Sequence, residues 1–281
     1  MSGSQTTRVV PEFEIRPSRQ ALRTDLGDLW RYRELLYFLV WRDLKVRYRQ
    51  TFIGVAWAIV QPLVVMIVFT LIFGGLVHVG SDGIPYPLFA FAGLVPWTFF
   101  ATGVNQASVS LVDSRNLLRK VYFPRLLIPA SAVTAGIADL GIAGLFLIVM
   151  MIPGGLLPGG TVVWVIPLLA LATVTTLGVG TWLAAVNVRY RDVRYIVPFL
   201  LQIWLLATPV AYPSSLVSDP WRTLYALNPM VGVVEGMRWA LFGAPSPPVA
   251  LVVIGAVVAG VILTSGLTYF RFVESSFADV V

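Results

Sequence analysis

Residues 113–125, DSRNLLRKVYFPR, form a short basic stretch between two apolar runs that are each long enough to cross a bilayer. If these runs are membrane spans, the stretch is a cytosolic turn, because Arg and Lys collect on the cytosolic side. Asp113 can cap a helix at its start and Pro124 can stop it, which leaves about ten residues, or roughly 15 Å of helix. The stretch therefore predicts a short helical turn between two membrane spans.

The predicted turn has an apolar face made by Leu117, Leu118, Val121 and Tyr122, since residues three and four apart are neighbours on a helix. Such a face has little to pack on at a membrane surface unless a cytosolic partner docks there, which favours a docking role. The alternative is that the Arg and Lys residues of a cytosolic loop simply fix the topology. The local sequence supports both interpretations equally.

The composition is that of a membrane protein. The chain is 57% hydrophobic and 12% charged, with a mean hydropathy of +0.81, whereas a soluble domain carries about 25% charged residues. Cysteine is absent, which excludes disulfides, thiolate metal sites and cysteine nucleophiles. The net charge of +6 comes from basic residues beside the ends of apolar runs, a pattern that indicates membrane orientation rather than a nucleic-acid partner.

A length criterion of about 20 apolar residues predicts an all-α polytopic protein with six transmembrane helices. The predicted spans cover residues 54–73, 86–112, 126–152, 162–188, 195–212 and 249–272. With both termini in the cytosol, only two of the twenty basic residues, Arg222 and Arg238, lie outside. This bias predicts a protein of the cytoplasmic membrane with its termini inside. The first fifty residues contain no apolar signal-peptide core, so we expect the first span to act as the insertion signal.

Two further segments are predicted at the membrane surfaces. Residues 1–27 are polar and are expected to form a cytosolic tail. Residues 28–50 have a helical pattern and predict an amphipathic helix on the inner leaflet, either as a functional element or as a plain juxtamembrane anchor. The apolar stripe of this helix consists of Tyr32, Leu35, Leu36 and Leu39.

Residues 213–245 are too apolar for an ordinary loop. Asn228 can cap a helix that Pro229 begins, which predicts two short re-entrant helices on the outer side. Glu235 and Arg238 are spaced i, i+3 on the second of them and can form an ion pair that neutralises both charges.

Asp139 is the one acidic residue well inside an apolar run, and an intramembrane carboxylate is a functional candidate. We expect no basic residue at comparable depth, and therefore interpret Asp139 as a protonated or hydrogen-bonded packing residue. Other polar residues in the spans could line a polar path or bond between helices: Gln61, Asn105, Gln106, Asn187 and Gln202.

No catalytic pattern is present in the sequence. The single histidine, His78, has no partners at metal-ligand spacing, so we expect no metal site. Neither Lys45 nor Lys120 follows the glycine-rich turn that a phosphate-binding loop requires. If the protein uses ATP, we expect another chain to bind ATP and Mg²⁺, with no cofactor in this one.

Several motifs occur in order along the chain: WRDLKVRY at 41–48, GLVPWTFF at 93–100, KVYFPRLL at 120–127, NVRYRDV at 187–193, YALNP at 225–229 and EGMRW at 235–239. Together they resemble the membrane subunit of bacterial polysaccharide ABC exporters. This subunit is the ABC-2 permease of O-antigen, teichoic-acid and cell-wall galactan exporters, often called Wzm. The resemblance covers roughly residues 30–245.

The resemblance implies the ABC-2 exporter fold and a homodimer joined to two copies of a separate, Wzt-like ATPase subunit. Such a complex moves a polyprenyl-linked glycan outward through the bilayer. The resemblance also implies a coupling helix at 113–123, a cytosolic gate helix at 28–50 and an outer gate within 213–245. An ABC-2 drug or lipid exporter shares this fold and is an alternative. A less favoured alternative is an integral-membrane enzyme acting on a polyprenyl-linked sugar, with Asp139, Glu235 and Arg238 as its site.

The resemblance assigns residues to four roles. The coupling residues are Arg115, Leu117, Leu118, Arg119, Lys120, Val121 and Tyr122. The gate-helix residues are Trp41, Arg42, Lys45 and Arg47, and the outer-gate residues are Trp221, Tyr225, Asn228, Glu235 and Arg238. Aromatic side chains suit a sugar channel because their faces bind the C–H surfaces of pyranose rings, although aromatics also anchor spans at the bilayer interface. The channel candidates are Trp97, Phe99, Phe100 and Trp204.

Overall fold

A computed structural model describes residues 31–49, 54–121, 123–156, 158–218, 221–243 and 247–274. Within these ranges all regular secondary structure is helical. The predicted tail at residues 1–27, the ends of the predicted gate helix and the coupling candidate Tyr122 lie outside the described residues.

Ten α-helices follow one another along the described chain. They are α1 (Arg33–Arg49), α2 (Trp57–Phe69), α3 (Tyr86–Asp113), α4 (Arg115–Lys120), α5 (Leu127–Met151), α6 (Val165–Arg189), α7 (Val193–Leu206), α8 (Trp221–Tyr225), α9 (Pro229–Phe242) and α10 (Val249–Glu274). Helix α2 follows a 3₁₀ turn and continues as a π-helix, Thr70–Leu76. The 3₁₀ turns are Gly54–Ala56, Ile152–Gly154, Gly160–Trp164 and Ser214–Leu216.

Five continuous helical segments are long and apolar enough to cross a membrane, so the chain is a multi-pass membrane protein. These segments are Gly54–Leu76, Tyr86–Asp113, Leu127–Gly154, Gly160–Arg189 and Val249–Glu274. Helix α7 has 14 residues, or about 21 Å at 1.5 Å per residue, which is shorter than the roughly 30 Å of a bilayer core. It ends at Leu206, before the predicted end at Tyr212, and Pro209 follows it without a backbone N–H to extend the helix.

The core is built around α3, which packs against α5 and α6 along its length and also contacts α2, α7 and α9. Residues on every side of α3 are buried, including Phe91, Phe100 and Val104. A helix that is apolar all round belongs in the interior of a bundle. By contrast, α2 is the least buried of the five long segments.

Two glycines, Gly178 and Gly180, allow α6 to approach its neighbours closely. A Cβ atom on Gly178 would lie 2.8 Å from the backbone nitrogen of Leu263 in α10. A Cβ atom on Gly180 would lie 2.7 Å from the Cβ of Ala107 in α3. Close backbone contact through small residues is the usual way in which membrane helices associate.

The basic turn, the start of α5 and the ends of α3, α6 and α10 meet at one end of the bundle, which we call the basic end. Here the side chain of Arg125 donates to the backbone oxygen of Glu274, 2.8 Å away. Helix α1 also packs at this end, where Leu39 is buried with Leu127 and Ile128. The loops before α3 and after α7 lie at the opposite end.

Candidate functional site

A charged cluster joins the last turn of α1 to α3 and α5 within the bundle. Arg47 donates from Nη1 to Oδ2 of Asp139 and from Nη2 to Oε1 of Gln106. The Tyr48 hydroxyl donates to Oδ1 of Asp139. The expectation that no basic residue lies at the depth of Asp139 is therefore wrong, because α1 brings Arg47 there.

The sequence of α1 places its anchoring residues on one face. Leu39, Asp43 and Arg47 are four residues apart, so they follow one another along one side of the helix. Leu39 packs on the core, and the Ser131 hydroxyl donates to Oδ2 of Asp43 over 3.0 Å. Apolar contact, a hydrogen bond and an ion pair thus hold successive turns of α1 on the bundle.

Helix α1 reaches deeper than a helix lying flat on a leaflet would. Asp139 lies about 18 Å along α5 from Leu127, at about 1.5 Å per residue. The pKa of Tyr48 is raised to about 12, mainly by burial and to a smaller extent by the hydrogen bond to Asp139. Tyr48 therefore stays a neutral hydrogen-bond donor at physiological pH.

A cavity of about 190 Å³ lies behind this cluster, between α1, α2, α3 and α5. Its lining combines polar groups with aromatic rings, among them Tyr48, Trp57, Gln61, Thr98, Phe99, Thr102, Gln106 and Asp139. Such a lining can hydrogen-bond hydroxyl groups and contact the apolar faces of a ligand. We call this space the inner cavity.

A larger groove of about 600 Å³ lies on the other side of Arg47, between α1, α3 and α4. Asp43, Asp113 and Asn116 line it, and we call it the basic-end groove. Arg47 and Gln106 line both the groove and the inner cavity. The hydrogen-bonded pair of side chains therefore stands at the boundary between the two spaces.

The basic turn forms helix α4, but its faces differ from the expected arrangement. Leu117 and Leu118 pack on the bundle, against the cluster that contains Leu111 and Phe123. Their apolar face therefore has something to pack on without a partner, which removes the reason first given for a docking role. The residues exposed on this turn are Asn116, Arg119, Lys120 and Val121.

The four channel candidates lie in or against the core of the single chain. Trp97, Phe99 and Phe100 are 5%, 3% and 0% exposed, respectively. Phe100 makes an edge-to-face contact with the partly buried Trp204, with ring centroids 5.0 Å apart. Trp97 and Phe100 do not face an open path in this structure, because both side chains are buried in the core. Phe99 alone of the four lines the inner cavity.

At the opposite end, two short helices occupy the predicted region. The side chain of Asn228 caps α9 by accepting from the backbone nitrogen of Met230 over 3.1 Å. The hydroxyls of Tyr225 and Tyr212 lie 2.8 Å apart, which ties α8 to the turn after α7. Trp221, at the start of α8, is exposed.

Arg238 of α9 is buried, and its guanidinium has acceptors on several sides. It donates to the backbone oxygens of Phe89, Pro209 and Val210 at 3.2, 2.6 and 2.8 Å. It also pairs with Glu235 at 3.1 Å, which confirms the predicted local ion pair. Arg238 therefore connects α9 to α3 and to the turn after α7, a role that the spacing alone did not indicate.

The three residues of the alternative enzyme site do not come together. Asp139 lines the inner cavity, whereas Glu235 and Arg238 line a separate cavity of about 630 Å³ at the opposite end. Within the described part of the chain, no group of three His, Cys, Asp or Glu residues is placed to hold a metal ion. Among the described residues the geometry supplies binding surfaces and helix contacts, and these three candidates form no common site.

Long apolar helices packed around a central helix define a multi-pass membrane protein. Residues 34–242 match the ABC-2 type transporter family, and the chain belongs to this family. It is a transport subunit rather than an enzyme.

Curated relatives extend over most of the chain. It is 34% identical over 256 residues to the O-antigen export system permease protein RfbA of Myxococcus xanthus, which covers 90% of this chain and 97% of the relative. It is 27% identical to RfbA of Klebsiella pneumoniae, covering 92% of this chain and 98% of the relative. It is 22% identical to the polysialic acid transport protein KpsM of Escherichia coli, and the match covers 71% of this chain and 78% of the relative.

Proposed function

We propose that this chain is the membrane-channel subunit of an ATP-driven exporter that moves a lipid-linked polysaccharide across the cytoplasmic membrane. The observation that carries the proposal is the similarity to an O-antigen export permease over 97% of that relative's length. The inner cavity supports it, because amide and hydroxyl groups there can hydrogen-bond sugar hydroxyls while the aromatic rings contact the C–H faces of the sugar. Galactan, O-antigen and teichoic-acid chains are all substrates of this chemical class.

A polymer of sugars must slide through a continuous polar path, because each hydroxyl left without a hydrogen bond in hydrocarbon costs roughly several kcal/mol. One chain has few helices with which to surround such a path, so the exporter is a homodimer. Helix α2 supports this arrangement, since it exposes Trp57, Gln61 and Val64 on its surface. Helix α7 and the turn after it form the span predicted at residues 195–212, which is the fifth of the six in chain order.

The ATPase is a separate chain, present in two copies, which binds ATP and Mg²⁺. It docks at the basic end through α4, where Arg119, Lys120 and Val121 are exposed. The basic end and both termini are then cytosolic, in line with the positive-inside rule. Helices α8 and α9 are re-entrant helices at the outer side, where protein contacts satisfy their backbone groups.

The test is ATP hydrolysis by the purified complex of this chain and its ATPase in lipid nanodiscs. We expect hydrolysis to rise several-fold when a polyprenyl-linked glycan is added, and to stay at its basal rate with the same polyprenyl diphosphate lacking sugars. Stimulation by apolar drugs but not by the glycan would overturn the proposal in favour of a drug exporter. A variant ATPase unable to hydrolyse ATP is the control for contaminating activity.

A further inference from the structure

We propose that Arg47 and Asp139 form a latch that positions α1 against the bundle and closes the inner cavity towards the basic-end groove. The inference rests on the proposed function only in treating α1 as a gate for the substrate. Asp139 and Arg47 are positioning residues here, since they act by holding α1 rather than by reacting with the glycan.

The contact between Arg47 and Asp139 is a largely buried ion pair. The side chains of Arg47 and Asp139 are 22% and 24% exposed, respectively. Removing one member of a largely buried pair leaves the other charge uncompensated, which is strongly unfavourable. Two nitrogen atoms of Arg47 donate to side chains on two different helices, to Asp139 on α5 and to Gln106 on α3. A planar guanidinium can do this because its two terminal nitrogen atoms point in different directions, whereas a lysine ammonium has a single nitrogen atom.

Arg47 and Gln106 lie between the two spaces. Arg47 and Gln106 line both the inner cavity and the basic-end groove, so their contact lies on the path between them. If Arg47 moved away, the groove beside α4 would open towards Thr102 and the rest of the inner cavity.

Arg47 has carboxylate acceptors on both sides of the boundary between the cavity and the groove. Asp139 lies on the cavity side, while Asp43 and Asp113 line the groove on the other side. Asp43 accepts from Arg42 and Ser131, and Asp113 is exposed. Asp43 moves with α1, but Asp113 belongs to α3. A released Arg47 can therefore pair with Asp113 in the groove, which gives α1 a second arrangement.

The experiment measures access to the inner cavity. The chain has no cysteine, so a Thr102→Cys variant carries a single thiol inside the cavity. The full-length chain, together with its ATPase, is placed in inverted membrane vesicles and treated with a membrane-impermeant thiol reagent. With the native latch we expect slow labelling. Asp139→Asn or Arg47→Gln should accelerate labelling by about tenfold, which corresponds to about 1.4 kcal/mol.

Two controls separate a latch from general damage. The double variant Arg47→Asp/Asp139→Arg should restore slow labelling, which a purely structural defect would not do. Asp192→Asn removes an exposed carboxylate at the basic end outside the groove and should leave labelling slow. An Arg191→Cys variant, with its thiol at an exposed position of the basic end outside the groove, should label at one rate in every background, which shows that the reagent reaches the basic end equally in all of them.

Equal labelling of the Thr102→Cys thiol in the native, Asp139→Asn and Arg47→Gln backgrounds would overturn the latch, as would a charge-swapped variant that labels as fast as the single variants. Arg47→Gln acts on α1, outside the long spans, so it tests the idea even if Asp139→Asn fails to fold. The labelling experiment requires no glycan, so a negative labelling result does not affect the ATP-hydrolysis test in nanodiscs. Conversely, labelling that supports the latch, together with ATP hydrolysis that does not respond to glycan, would count against the proposed function alone.

Discussion

At the scale of single residues, the charged groups inside this membrane protein are held by partners on other helices. Arg238 is 3% exposed and donates to three backbone oxygens and to Glu235. Its aromatic neighbour Phe89 lies with its ring centroid 3.4 Å from the guanidinium carbon. Such a buried charge with several hydrogen bonds is tolerable only while its partners are present.

We therefore expect Arg238→Met to destabilise the protein by about 3 kcal/mol or more, because it leaves Glu235 and three carbonyl oxygens without their donor. Arg238→Lys should recover only part of this loss, since an ammonium cannot reach all the acceptors. Thermal unfolding in detergent measures the effect. Arg191→Gln, an exposed arginine at the basic end, is the control and should melt like the native protein. Equal melting of Arg238→Met would contradict the bonding described here.

The two intramembrane charge pairs differ in how far the sequence could predict them. Glu235 and Arg238 are three residues apart on one helix, so a local rule found their pairing. Arg47 and Asp139 are 92 residues apart, and no local rule joins them. The one available signal was the spacing of Leu39, Asp43 and Arg47, which continues the apolar stripe of α1 into its polar end.

At the scale of elements, α4 has two faces with different functions. Leu117 and Leu118 fix the helix on the bundle, whereas Arg119, Lys120 and Val121 face outward. A partner can reach only the outward face. The apolar face on which the sequence argument relied is the one that the chain itself uses.

The double variant Arg119→Glu/Lys120→Glu should therefore lose the ATPase subunit on co-purification while the chain itself still folds and inserts into the membrane. Reversal of two exposed charges opposes a complementary partner surface without disturbing the core. Arg191→Glu, a reversal at another exposed site of the basic end, is the matched control. Recovery of both subunits in the native ratio from the double variant would show that the ATPase binds elsewhere.

The contact between α6 and α10 depends on the absence of a side chain at one position. A Cβ atom on Gly266 would lie 2.7 Å from the backbone oxygen of Gly178. Gly266→Ala should therefore force the helices apart and destabilise the protein by about 1–3 kcal/mol. Gly260→Ala on the same helix meets nothing within 4 Å and should leave stability unchanged or slightly higher. Thermal unfolding of the two variants side by side checks this, and equal melting temperatures would contradict it.

Helix lengths were easier to predict than helix surroundings. Apolar length alone located the five long segments, because a bilayer requires a long apolar run. It did not show that α3 is enclosed by other helices, since an apolar run looks the same whether it faces lipid or protein. The aromatic residues Trp97 and Phe100 were therefore assigned to a channel, although they fill the core. To predict that α7 ends early, at Leu206, the position of Pro209 had to be considered as well as the apolar pattern.

At the scale of the whole molecule, the bundle has a basic end that holds α1 and α4 and an opposite end that holds α8 and α9. The inner cavity lies between them, beside α2, the least buried of the long helices. A second copy of the chain placed against α2 would extend this cavity into a path. The single chain thus supplies half of the membrane path that we propose.

The most direct test of this account is the movement of a lipid-linked glycan in inverted vesicles that contain the chain and its ATPase. Glycan added outside, which is the cytosolic face, should become protected from an added glycosidase only when ATP is present. An ATPase variant that cannot hydrolyse ATP should abolish this protection, and a polyprenyl diphosphate without sugars should compete weakly. ATP-dependent protection is the result that the account predicts. Glycan that stays fully accessible with ATP, in vesicles where both subunits are assembled and hydrolysing ATP, would contradict it.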